Sequence, residues 1–482
     1  MNGLWSAQGV LRRKPIEHIA EAEGASGEQL SRVLSLWQLT AIGVGGIIGA
    51  GIFTLAGTVA NGTAGPAVLV SFLIAGVASA AAALSYAEFA GLIPKAGSAY
   101  TYGYAVLGEL GGWFIGWDLL LEYTAIVAVV AIGISGYFSF LVQEAGAQLP
   151  AWMLGAPGTG DGHRVDLFAA LLCLLIAYLL TRGIKSAARF ETVVVGLKVL
   201  VVLLVIAVGF FHVNSANYEP FFPFGVSGAF TGAATVFFAV FGYDAMSTAA
   251  EESKDSQRHM PKAIIYSLAI SMVLYVLACL VLTGMQNFKH IDKESGFSTA
   301  FKSVGLSGIA DIIAVGAIIG ILTVMFTFML GVTRVWFSMS RDGLLPKWFA
   351  KTHATRHVPT RVTWIVGVAS AVIAGFLPIE EAAELTNIGI LLAFVVVCVA
   401  VIVLRYRRPD LPRTFRTPWM PWVPGLGVAA SVWLTTFLTV ETWIRFGVWL
   451  VIGLAIYFGY SYRRSELARQ QPGYGKDGKD VK

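Results

Sequence analysis

Charge is scarce in this sequence. Only 13% of its 482 residues are Asp, Glu, Lys or Arg, and 56% are hydrophobic, whereas soluble domains carry about 25% charged residues. The scarcity excludes a string of soluble domains. Repeated apolar runs of about 20 residues, separated by short loops, mark an all-α polytopic membrane protein. The formal net charge of +5 is small and comes from loop cations. It reads as membrane orientation, with the lipid bilayer and no nucleic acid as partner. Cysteine is nearly absent: Cys173, Cys279 and Cys398 all lie in apolar runs, with no C-x-x-C pair and no disulfide framework, so they read as core residues. No histidine lies deep in a span, which argues against a histidine relay or metal site. No nucleophile–base pair and no metal triad is visible, so the chain reads as no enzyme, with neither metal nor cofactor. A cleavable signal peptide is not expected, because the first apolar run starts near Leu36 after a polar segment and is too long for an h-region.

What the sequence has in abundance is apolar helix. The expected spans are Leu36–Thr58, Pro66–Leu92, Gly112–Val142, Asp166–Leu180, Phe190–His212, Ser227–Ala250, Lys262–Gly284, Ile309–Met339, Val362–Phe376, Ala382–Leu404, Trp422–Val440 and Ile444–Tyr462. GSAYTY, Gly97–Tyr102, reads as a surface helix. An even number of spans puts both termini on one side. Loop Lys and Arg then number about 17 on the amino-terminal side against about 5 on the other, which the positive-inside rule reads as both termini cytoplasmic. The expected organisation is a cytoplasmic arm over 1–35, a first five-span unit over 36–212, a second over 213–404, spans 11 and 12 over 405–464, and a cytoplasmic tail over 465–482.

Two spans are anomalous. Span 1 contains TAIGVGGIIGAGIFT, Thr40–Thr54, with five glycines. In a helix interior each costs roughly 0.5–1 kcal/mol relative to alanine. The run reads either as a close-packing surface or as a helix that breaks near Gly49–Ala50–Gly51. Span 6 contains FFAVFGYDA, Phe237–Ala245, with Gly242 and Asp244 in mid-segment. The two lie five spans apart, an odd offset that makes the two halves face opposite ways, and paired interrupted spans point to a transporter binding site. A broken span 1 offers N–H groups at Gly49–Gly51, the positive end of its outer half-helix, to a carboxylate. It offers carbonyls near Ile47 and Ile48 to an ammonium, joined by those of Phe238, Ala239 and Phe241. That pair of poles suits an α-amino acid.

Four charges sit inside spans: Asp118 and Glu122 in span 3, Lys198 in span 5 and Asp244 in span 6. Each costs on the order of 2.5–3.5 kcal/mol at a helix centre. They read either as a static ion-pair network or as a proton path, with Asp118 near enough to the inner side to reach loop cations. Glu88 reads as the inner end of span 2. Glu251 and Glu252, beside Lys254 and Arg258, read as a gate or loop salt-bridge cluster. Glu380, Glu381 and Glu384 read as solvated, Arg334 as snorkelling, and most tryptophans and tyrosines as interface anchors.

The strings GVGGIIGAGIF (Gly43–Phe53), LSYAEFAGLIPKAGSAYTY (Leu84–Tyr102), GWDLLLEY (Gly116–Tyr123), FFAVFGYDAMSTAAEE (Phe237–Glu252), SRDGLLP (Ser340–Pro346) and ELTNIGILLAF (Glu384–Phe394) resemble the amino acid–polyamine–organocation (APC) superfamily, in particular bacterial relatives of the cationic amino acid transporters. The resemblance implies a LeuT-like 5+5 inverted repeat with 12 transmembrane helices, in the cell membrane. It implies secondary active, proton-coupled uptake of an amino acid substrate, driven by the proton motive force, by a monomer or a chain with a small accessory membrane protein. It places the substrate backbone at Ile47, Gly49, Ala50, Gly51, Phe238, Ala239 and Phe241. It places the side-chain pocket partly on span 8, at Val324, Thr327 and Phe328. By the same resemblance Lys198, Asp244 and Glu122 are the proton-coupling residues, with Lys198 standing where sodium-coupled relatives hold a sodium ion. Phe328 is bulky, so the expected substrates are small or medium neutral L-amino acids such as alanine, with weak handling of cationic ones. An amino acid or polyamine exchanger and a sodium-coupled symporter, with Thr323 and Thr327 as ligands, are the alternatives on this fold.

Overall fold

The computed structural model describes residues 34–93, 98–182, 187–247, 250, 253–351 and 359–469. The arm before residue 34, Lys95, Lys185, Arg356, the pair Glu251–Glu252 and the tail beyond 469 lie outside the described residues.

Ser35 opens span 1 with a capping box: its backbone N–H donates to Gln38 Oε1 (2.9 Å), and its hydroxyl accepts from Gln38 N–H (3.4 Å). Gly65, at φ +63, and Pro66 divide the helical run Leu36–Leu92 into spans 1 and 2. Seven further runs are long and apolar enough to cross a membrane, and three shorter apolar helices, Leu167–Thr181, Thr360–Phe376 and Trp422–Thr435, complete the twelve expected segments. Span 3 is longer than expected, Glu109–Glu144. Its polar start is held inside the protein, where Glu109 accepts from Ser465 Oγ at 2.7 Å and from Tyr457 at 3.3 Å. Span 11 stops at Thr435, five residues short of the expected Val440, because Thr439 caps span 12 by accepting from Thr442 N–H. Ser98–Val106 forms a helix of its own, as expected, but Tyr100, Tyr102 and Tyr104 are buried against the rest of the protein.

Spans 2 and 7, 3 and 8, and 4 and 9 pack pairwise, and spans 1 and 6 touch at their interruptions. Each pair is five spans apart. Span 3 is the centre, packing on spans 8, 10, 9 and 4. Span 11 covers spans 10 and 2. Span 12 lies outermost, yet Trp117 and Trp449 stack at 4.3 Å and each indole N–H donates to the other's backbone carbonyl, at 2.9 and 3.1 Å.

Those tryptophans correct an expectation. Trp37, Trp419 and Trp422 are exposed, as interface anchors are, but Trp113, Trp117 and most of the central tyrosines are buried. An aromatic with a polar tip settles in a core when a partner for that tip exists there. All three cysteines are buried and free.

The charged helix ends also differ from expectation. Glu88 is buried and accepts from Arg405 Nε (3.0 Å), Arg413 Nε (3.0 Å) and Thr417 N–H (2.8 Å), tying the chain after span 10 onto span 2. Glu380 pairs with Lys293 (3.5 Å), Glu381 with Arg445 (2.6 Å), and Glu384 accepts from Thr439 and Thr442, so none of the three is merely solvated. Arg334 is exposed, as a snorkelling residue is.

Candidate functional site

Both interruptions are present. Span 1 is helical over Leu36–Ile47, leaves helical backbone at Ile48 (φ −74, ψ 105), and resumes as a π-helical turn at Gly51–Leu55. Span 6 runs over Gly225–Val236, tightens into a 3-10 turn at Phe237–Val240, opens at Phe241–Gly242 and resumes over Tyr243–Ser247. Gly242 sits at φ +117, a conformation that only glycine adopts readily. A Cβ there would also lie 2.7 Å from the carbonyl of Gly46. The two interruptions therefore cross backbone on backbone. Gly51 lies against Ala239 with no room for a Cβ. The two readings of the glycine run divide it between them: Gly43, Gly46 and Gly51 provide close packing, and the helix breaks at Ile48–Gly49, at the leading edge of the expected Gly49–Ala50–Gly51.

An opened helix in a membrane must find partners for its freed carbonyls, and neighbouring spans supply them. Tyr275 of span 7 donates to the Ile47 carbonyl (2.7 Å), and Tyr137 of span 3 to that of Phe53 (2.5 Å). Ser79 of span 2 donates to Val240 (2.7 Å), and Asn387 of span 10 to Ala234 and Thr235 (2.8 and 2.9 Å). Lys198 of span 5 donates to the Gly45 carbonyl and lies 3.5 Å from Thr323 Oγ1. None of these hydroxyls or amides is marked as special by sequence. The signal that exists is a polar tip at mid-span depth, which needs a partner wherever it is buried.

The positions expected to bind substrate come together around the crossing. Val324 packs on Gly49, and Ala50 faces Gly133 of span 3. Phe238 and Phe241 lie 5.9 Å apart, Phe241 and Phe328 5.7 Å, and Tyr123 meets Phe328 edge-on at 5.1 Å. These aromatic rings form one apolar wall beside the carbonyls of Phe238, Ala239 and Phe241. Thr327 is only half-buried, and its hydroxyl donates to its own helix at Thr323 O (3.0 Å). Ile47 belongs to the crossing, but its carbonyl already holds Tyr275.

The buried charges fall into two groups. Lys198 is fully buried between span 1 and span 8. The acids gather elsewhere: Tyr123 donates to Asp244 Oδ2, and the charges acting on Glu122 are those of Asp244 and Asp118. Asp118 is fully buried against Gly389 of span 10, and neither of its oxygens has a hydrogen-bond partner among the described residues. No loop cation among the described residues is its partner.

Residues 34–459 match the family described as amino acid permease. The chain belongs to that family. It is 44% identical over 458 residues to a methylthioribose transporter of Bacillus subtilis (strain 168), covering 95% of this chain and 99% of the relative. It is 46% identical over 462 residues to the branched-chain amino acid permease BcaP of the same organism, at the same coverage. Cationic amino acid transporter 4 of Homo sapiens is 29% identical over 589 residues, covering 97% of this chain and 92% of that one. The chain is thus a multi-pass membrane transporter of the amino acid permease family, and no enzyme.

Proposed function

We propose that this permease imports small or medium neutral L-amino acids together with protons, across the cell membrane, with both termini cytoplasmic. The observation that carries the reading is the backbone crossing of spans 1 and 6, flanked by buried Lys198 on one side and by Asp244 and Glu122 on the other. The N–H groups that open the Gly51 half-helix have no partner within it and receive the substrate carboxylate. The carbonyls of Phe238, Ala239 and Phe241, with the second lone pair of Ile47 O, receive its ammonium. Every α-amino acid presents these two poles, so the backbone recognises the class, and the wall of Phe241, Phe328 and Val324 selects among side chains by size.

Lys198 supplies a positive charge beside span 1, and its ammonium faces Thr323 Oγ1 at 3.5 Å, an oxygen that a sodium ion would need. This disfavours a sodium ion there. A proton on the Asp244–Glu122 group neutralises it while substrate binds. The bundle of spans 1, 2, 6 and 7 then rocks against spans 3, 4, 8 and 9, exchanging outer for inner access.

Purified permease in liposomes tests this with a competition panel of amino acids at two pH gradients. Accumulation of L-alanine or L-leucine driven by an inward proton gradient is expected. Uptake that needs internal amino acid and ignores the gradient would make the protein an exchanger. Dependence on sodium would overturn the role given to Lys198. A second substrate reading comes from the relative named as a methylthioribose transporter, so methylthioribose belongs in the panel. Its transport in place of amino acids would remove the two-pole argument, since it has neither carboxylate nor ammonium.

A further inference from the structure

We propose that Asp118 is a further proton-carrying residue, the next stop of the transported proton on the inner side of Glu122. This rests on the proton-coupled reading above.

The acid lies on span 3 one turn before Glu122, on the same face of the helix, about 6 Å along the axis. It is wholly shut off from solvent, yet neither carboxyl oxygen has a hydrogen-bond partner among the described residues, and Glu122 Oε2 has none either. Span 10 makes room for it with a glycine: a Cβ on Gly389 would stand 2.7 Å from Asp118 Oδ1. A buried carboxyl that makes no bond gives the bundle no cross-link, and inside a span its charged form is costly. A static network would have spent it on a partner. Bare carboxylate in such a place is far more costly than carboxylic acid, so the geometry suits a group that holds a proton and passes it on.

The charged and titratable groups around it fit that use. Glu122 shares its helix and feels both Asp118 and Asp244. Span 6 brings Asp244, bound by Tyr123, and span 2 brings Tyr86 toward Glu122 and Asp244. Span 10 presents Gly389, and its Arg405 is engaged by Glu88. Arg334 of span 8 is exposed. When the inner side opens, Asp118 releases its proton to the cytoplasm. The Glu122 O–H then breaks, an Asp118 O–H forms, and one negative charge moves one turn outward as the proton moves inward. Rotation of the two side chains brings their carboxyls within reach.

The test is Asp118→Asn in proteoliposomes, with L-leucine and L-alanine as probes and two readouts. Asparagine keeps the shape and lacks the transferable acid proton. Gradient-driven accumulation is expected to be lost, and with it the pH dependence of uptake. Counterflow at equal pH on both sides, which needs no net proton movement, is expected to persist. Accumulation equal to the unmodified permease would overturn the proposal. Gly389→Ala covers a folding failure, because it crowds the carboxyl without removing it. It is expected to slow gradient-driven uptake while sparing counterflow. Loss of both activities in Asp118→Asn, with coupling unchanged in Gly389→Ala, assigns Asp118 a structural role and overturns the proposal. Absence of gradient-driven uptake in the unmodified permease would instead overturn the proton-coupled reading itself.

Discussion

The phenol of Tyr123 donates to the carboxyl of Asp244, and this bond ties span 3, the centre of the scaffold, to the resumed half of interrupted span 6. It lies wholly inside the protein, next to Phe328, so substrate wall and acid group share one side chain.

Tyr123→Phe removes the hydroxyl and nothing else. Both Asp244 oxygens then lack a side-chain donor, since Oδ1 already has no partner among the described residues. Leaving a buried polar group unsatisfied costs about 1–3 kcal/mol. The expected result is a lower Tm in detergent and a weaker response of uptake to the proton gradient. A thermal-shift measurement and gradient-driven uptake check both, and an unchanged gradient response would detach Tyr123 from coupling.

Glu88 tests a structural claim. Its side chain and that of Arg413 are 2% and 1% exposed, and Arg405 completes the group. Removing one partner of a buried ion pair costs about 3–5 kcal/mol, whereas replacing the charges together is far cheaper. Glu88→Gln is expected to lower the unfolding midpoint strongly, and adding Arg413→Met to recover part of the loss. Transport per folded molecule should be retained, because the cluster lies at the Leu92 end of span 2, away from the crossing.

What was legible beforehand follows from what each signal depends on. Apolar run length sets the spans, and glycine at mid-span depth marks the interruptions, because both act within one helix. Gly49–Gly51 and Gly242 were therefore visible. The partners of the freed carbonyls were not. Tyr275 meets Ile47 across 228 positions of chain and Asn387 meets Ala234 across 153, and no periodicity encodes such encounters. The same holds for Glu380, Glu381 and Glu384, whose partners come from other loops. Depth along span 3 alone places Asp118 near loop cations, whereas its described neighbour is Gly389 of span 10, a contact that no single helix encodes.

Phe328 bears on selectivity. It touches both Phe241 and Tyr123, so it fixes the length of the apolar wall. Truncating a buried phenylalanine costs about 3–5 kcal/mol in the Phe→Ala case, so Phe328→Ser is expected to be less stable while accepting longer side chains. Competition by arginine and lysine against L-alanine uptake should rise. Competition identical to the unmodified permease would place the size filter elsewhere.

Glu294 predicts a pH dependence at the opposite face. The loop that carries it is docked on the second half of span 1: Thr58 donates to the Lys293 carbonyl (2.5 Å), Asn61 to that of Ile291 (2.9 Å), and Phe297 meets Phe53 edge-on at 6.4 Å. Glu294 itself fits against Gly136 of span 3, where a Cβ would lie 2.6 Å from Oε2. Burial pushes its carboxyl up to about 8, and the neighbouring Asp166, Asp292 and Glu380 push the same way, with Lys293 opposing them. Burial likewise raises Asp166 to about 7, against the lowering hydrogen bonds from Ala169 N–H and Ser135. A released loop returns Glu294 to its ordinary value of 4.5. Between those two values only the docked loop holds the proton, so protonation favours docking. That contribution is complete below the ordinary value, shrinks as pH rises, and is gone once pH passes about 8. Amide exchange over residues 287–296 is therefore expected to speed up beyond its intrinsic pH dependence as pH is raised through this window. Glu294→Gln, neutral at every pH, should remove the excess. An excess that persists in the glutamine variant would assign it to Asp166 or to another group.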